Sequence, residues 1–150
     1  MGGPGLNRDV SVRFIIPSVP TMSMDGNDRN MTIDDAKAIV ADFCRERDWD
    51  QFHNPKDVAI GISTEASELL QLFRFKDVSE LDGLLADPVF SGKVREELAD
   101  VFYFTVRFSQ VTGIDLYSAL VEKIAKNAEK YPVGTSKGSN RKYDERPGPM

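Results

Sequence analysis

Residues 63–75 read STEASELLQLFRF, and residues 95–104 read REELADVFYF. In the first stretch Ala66, Leu69 and Phe73 continue a stripe begun by Val58 and Ile62, at the 3.6-residue spacing of a helix with one apolar face. Glu65 and Glu68 lie three residues apart beside that stripe, and Glu97 and Asp100 repeat the arrangement in the second stretch. Residues at i and i+3 of a helix are neighbours, so each pair is an acidic pincer whose like charges repel. Two such pincers flanking apolar stripes need something to offset the repulsion.

Working outward, the boundaries of four main helices are written in their caps. TIDD (32–35) sets Thr32 as an N-cap before a helix to about Arg47. Asn54 caps the next, with Pro55 at its first position, and this helix reaches about Phe75. A polar link holds a short helix capped by Ser79 and broken before Pro88. Ser91 opens the third main helix, with Val94, Leu98, Val101, Phe102, Thr105 and Phe108 inward and Gly113 at its end. Asp115 caps the fourth, which stops at Pro132. The expected fold is an all-α, four-helix-bundle-like domain over residues 32–132. It is flanked by a Gly- and Pro-rich N-terminal extension (1–31) with one strand-like island, VSVRFII (10–16), and by a polar C-terminal tail (133–150). Apolar residues on more than one face of the second and third helices predict a homo-oligomer.

A net charge of −5 excludes a non-specific grip on nucleic acid, which needs clustered Lys and Arg. The single cysteine, Cys44, excludes an intrachain disulfide, and with the single histidine, His53, it cannot make a structural zinc set. No apolar run is long enough to span a membrane or to form a signal peptide, so a reducing cytoplasm is the expected location. The four carboxylates suit Mg²⁺, which prefers hard oxygen ligands and shares them with phosphates. A di-iron centre would want Glu-x-x-His pairs, which are absent. The pattern alone leaves a solvated acidic face as an equal alternative.

Glu65-x-x-Glu68, 28 intervening residues, Glu97-x-x-Asp100 and then KIAKNAEKYP (123–132) resemble the MazG-like all-α nucleoside triphosphate pyrophosphohydrolases. Within these, WDQFHNP (49–55) and QLFRFK (71–76) are similar to motifs of the dCTP pyrophosphatase branch. Thr64 departs from relatives that carry Glu there, and Phe75 stands where Trp is frequent.

The resemblance implies hydrolysis of a (deoxy)nucleoside triphosphate to monophosphate and pyrophosphate, with Mg²⁺ held by Glu65, Glu68, Glu97 and Asp100. Glu65 would orient the water, with Glu96 as the competitor. Lys123, Asn127 and Lys130 share one helical face and, in this reading, meet the triphosphate, with Tyr131 either packing or stacking near the sugar. Trp49, His53 and Phe75 are candidates for the base, through stacking and an imidazole hydrogen bond. Their alternative role is sealing helix ends. Phosphoribosyl-ATP, dUTP or another nucleotide is the rival substrate, and a non-catalytic helical oligomer binding a protein partner is the rival class.

Overall fold

The computed structural model describes residues 27–142, so the island at 10–16 lies outside the described residues. Among them there is helix and no strand. Helix α1 spans Ile33–Glu46, α2 Pro55–Phe73, α3 Leu81–Ala86, α4 Pro88–Thr112, α5 Leu116–Lys130 and α6 Val133–Ser136, with 3-10 turns at Asp50–Phe52 and Val78–Glu80. The all-helical expectation is borne out.

The caps explain the boundaries. At α1, Asp35 N–H donates to Thr32 Oγ1 at 3.1 Å and Thr32 N–H returns to Asp35 Oδ2 at 2.8 Å, closing a capping box. Asn54 Oδ1 accepts from Asp57 N–H at 3.0 Å, Pro55 sits in the first turn of α2, and Asp115 Oδ1 accepts from Ser118 N–H at 2.8 Å. Two expected starts are corrected. The short helix is entered through a capping box of Asp77 and Glu80 rather than through Ser79. The third main helix begins at Pro88, not at Ser91, because Asp87 Oδ2 accepts from Phe90 N–H at 3.1 Å and proline in the first turn sacrifices no bond. Pro88 therefore ends one helix and starts the next. At the far end Gly113 takes a left-handed turn, φ 71°, that a Cβ would strain.

Helix α4 is the axis, with α2 packed along it and α1 and α3 also against it. The tightest approach is at Gly61, where a Cβ would stand 2.5 Å from the Phe104 ring. Glu65 and Glu68 follow Gly61 by one and two turns, and Asp100 and Glu97 precede Phe104 by the same intervals. Because the two helices run in opposite directions, this crossing sets the acidic pairs facing each other.

The inward set on α4 is also corrected. Val106, Arg107 and Ser109 are its buried residues, whereas Leu98 and Phe102 are exposed. The core is small: Val40, Cys44 and Val106 form a cluster, with Ala36, Tyr103 and Leu116 packed on it. Helix α5 is not packed along the other helices, and its Tyr117, Leu120, Val121 and Ile124 are exposed.

Substituting Gly61→Ala should lower the melting temperature despite alanine's better helix propensity, since overpacking costs about 1–3 kcal/mol. Gly92→Ala, where a Cβ meets nothing within 4 Å, should instead stabilise by about 0.5–1 kcal/mol. Thermal denaturation of both variants checks the pair; a stabilised Gly61→Ala would refute the crossing.

Candidate active site

Carboxylate oxygens of Glu65, Glu68 and Glu97 all lie within 4.8 Å of one another. Asp100 stands outside this trio, yet its charge still acts on Glu65 and Glu97. Partial burial, followed by the charges of Glu68, Asp100 and Glu97, pushes the Glu65 carboxyl above its ordinary value. Glu97 is raised by desolvation and then by Glu68, Asp100 and Glu96. Among the described residues no Lys or Arg forms an ion pair with any of the four. Hard oxygen donors converging from two helices, without a protein cation among them, fit a divalent metal ion of the Mg²⁺ type. Glu96 is exposed and outside the trio.

A second constellation sits at the start of α2. Trp49 caps the 3-10 turn, and its ring meets His53 edge-on with centroids 6.2 Å apart and Phe43 at 5.6 Å. His53 is half-buried. Its Nδ1 accepts from Arg107 Nε–H at 2.9 Å, while the same guanidinium donates to Asp50 and, at 3.2 Å, to Gln110 Oε1. Cys44 Sγ lies 3.7 Å from His53 Nδ1 and 3.2 Å from the Tyr103 hydroxyl. Burial first, and the Arg107 charge second, lower the His53 pKa against the opposing pull of Asp50. Burial and Cys44 raise that of Tyr103.

Phe75 follows the end of α2 with φ 64°, a left-handed conformation that strains an aromatic residue, and it is 90% exposed beneath the Arg74 guanidinium, 4.6 Å from the ring centroid. Lys123 and Asn127 lie on α5, which does not run along α2 or α4. Among the described residues no ion pair joins Lys123 to the carboxylates. Lys130 closes α5, and Tyr131 lines a surface hollow of about 430 Å³ with Ser136, Ser139, Asn140, Arg141 and Lys142. The structure thus gathers Glu65, Glu68 and Glu97, and separately Trp49 and His53. Among the described residues no ion pair or ring contact joins Phe75 or Lys123 to either group.

Sequence reasoning missed Arg107, Asp50, Cys44 and Tyr103 as one polar network. A signal was present: Arg107 follows Tyr103 by four and precedes Gln110 by three, placing a charge on a helical stripe that also carries Val106 one step away.

The profile described as the MazG-like family matches residues 60–145. The chain is 34% identical over 116 residues to dCTP pyrophosphatase 1 of Rattus norvegicus, covering 77% of this chain and 68% of the relative. It matches dCTP pyrophosphatase 1 of Homo sapiens at the same identity and coverage. A solved pyrophosphatase from Archaeoglobus fulgidus superposes with a TM-score of 0.62 at 33% identity, over 67% of this chain and 92% of that one.

Neutralising Glu68 should relieve repulsion in the metal-free protein, so Glu68→Gln should melt higher at neutral pH, on the order of a degree or two. Raised carboxyl pKa values mean that the folded state holds these protons more tightly. Their stabilising contribution is complete below the unfolded value of 4.5 and is lost as pH rises through the folded values of Glu65 and Glu97. The difference in melting temperature between variant and parent should therefore grow with pH through that window. A difference that does not change with pH would refute the mutual repulsion.

Proposed function

The chain belongs to the MazG-like family and is a nucleoside triphosphate pyrophosphohydrolase; we propose that it is Mg²⁺-dependent and prefers dCTP, releasing monophosphate and pyrophosphate. The observation that carries the metal dependence is the trio Glu65, Glu68 and Glu97, three carboxylates converging from α2 and α4 with no cationic partner among the described residues. In this reading it acts in the cytoplasm on surplus or non-standard nucleotides.

Glu65, Glu68, Glu97 and Asp100 hold the metal. Mg²⁺ bound there supplies positive charge to phosphate oxygens and acidifies water. Glu65 orients the attacking water; burial and the neighbouring carboxylates raise its carboxyl above the ordinary value. Trp49 stacks on the base and His53 hydrogen-bonds its edge, with exposed Phe75 as a further stacking surface. Lys123, Asn127 and Lys130 bind the triphosphate through ammonium and amide donors, and Tyr131 lies near the sugar.

The working unit in this proposal is a homodimer or homotetramer. Support comes from the apolar residues left exposed on α5, Leu120 and Ile124 among them, together with Leu98 and Phe102 on α4. Surfaces of this kind on a soluble chain mark interaction sites.

Incubation with Mg²⁺ and a panel of nucleotides, including dCTP, dUTP and phosphoribosyl-ATP, should give monophosphate and pyrophosphate fastest from dCTP, with turnover lost in EDTA. Glu68→Gln and Asp100→Asn should each abolish turnover while helical circular dichroism is kept. Activity retained by both variants would sink the metal assignment, and a better substrate than dCTP would overturn the preference. Light scattering should report a mass above that of one 16.8 kDa chain.

A further inference from the structure

We propose that Arg107 is a positioning residue for base recognition: it fixes His53 as the neutral imidazole protonated on Nε2, so that the turn at 49–53 offers one hydrogen-bond donor to an acceptor atom of the base, a ring nitrogen or a carbonyl oxygen. The inference rests on the reading that His53 meets the base.

A guanidinium has donors and no acceptor. Arg107 Nε–H lies 2.9 Å from His53 Nδ1, so Nδ1 must accept, and the ring proton of the neutral imidazole must reside on Nε2. Adding a proton to Nδ1 would set N–H against N–H beside a fixed positive charge. The imidazolium is therefore the disfavoured form. Nε2 makes no hydrogen bond among the described residues, which leaves its donor for a ligand.

Arg107 can impose this because it is itself held. It is only 7% exposed, and of its other nitrogens Nη2 donates to Asp50 and Nη1 to Gln110 Oε1 at 3.2 Å. Gln110 is anchored in turn, its Nε2 donating to the Lys37 carbonyl of α1 at 2.7 Å. One side chain of α4 is thereby tied to α1 and to the turn that carries Trp49 and His53. The charged and titratable groups facing the ring are Arg107 from α4, Asp50 from the turn and Cys44 from α1, with Tyr103 behind the thiol. Burial and Arg107 hold the imidazole neutral, and Asp50, spent on the guanidinium, opposes them without prevailing.

His53 is the single histidine, so imidazole ¹H–¹⁵N spectra of the untagged full chain report on it alone. Without nucleotide, the spectra should show an unprotonated Nδ1 and a protonated Nε2, persisting below the ordinary midpoint of 6.5. A proton on Nδ1, or titration at the ordinary midpoint, would overturn the proposal, and this measurement needs no variant to fold. In Arg107→Met the tautomer preference should be lost and the midpoint should rise toward 6.5. The KM for dCTP should increase about 5-fold, as expected for one weakened hydrogen bond, with kcat changed less. An unchanged tautomer in Arg107→Met would also overturn it. Adding dCTP to the parent protein should shift the Nε2 resonance. If the tautomer is as expected but that resonance does not move, the base contact assigned to His53 fails while the control of the imidazole by Arg107 stands.

Discussion

The close approach of Gly61 to the Phe104 ring governs the placement of everything else. A glycine in the middle of a 19-residue helix costs about 1 kcal/mol relative to alanine. What it permits is contact between α2 and the ring of Phe104 at a separation no side chain would allow. The helices are antiparallel, so fixing this one point fixes the register of both. Glu65 then faces the level of Asp100, and Glu68 that of Glu97. A shift by one residue would turn the acidic set about 100° around one helix and dissolve the cluster.

That register produces two unresolved tensions in the single chain. Carboxylates are pressed together with no Lys or Arg paired to them among the described residues, and the raised pKa values of Glu65 and Glu97 register the cost. Large apolar side chains remain in water while, among the described residues, Val40, Cys44, Val58 and Val106 make up the buried apolar set. Beyond Leu116, which packs on the core, helix α5 leaves Leu120, Val121 and Ile124 exposed among the described residues. The proposed metal ion and nucleotide relieve the first tension, and the proposed second copy relieves the second. Both remedies come from outside the chain, which makes its stability a function of what it binds.

The local grammar of the fold was legible because caps are short-range chemistry. Thr32, Asn54 and Asp115 cap the helices that the sequence assigns to them, and Gly113 ends α4 as a left-handed glycine should. The two acidic pairs were legible for a similar reason, since i, i+3 spacing survives any packing, whereas the position of Asp100 outside the trio was not. Pro88 misled because the residue that stops one helix also suits the first turn of another. The inward face of α4 was misjudged because a count of apolar residues cannot see that Arg107 has partners waiting in the turn and on Gln110. The independence of α5 is a property of tertiary packing, to which its amphipathic pattern is blind.

Arg107 and the carboxylates are connected by the helix they share. Asp100, Phe104 and Arg107 fall at i, i+4 and i+7, on one face of α4, and Asp100 to Arg107 is seven residues, about 10 Å along the axis. The crossing with Gly61 lies between them. The same antiparallel register that brings Glu65 and Glu68 toward the acidic half of α4 carries the start of α2, with His53 just before it, toward Arg107. One rigid helix pair therefore sets both the charge that meets phosphates and the donor proposed to meet the base, and it sets the interval between them. A nucleotide gripped at both would be measured against that interval, so discrimination at the base and positioning at the phosphates would not be independent. Loosening the crossing would disturb both at once, whereas freeing Arg107 would release only the imidazole.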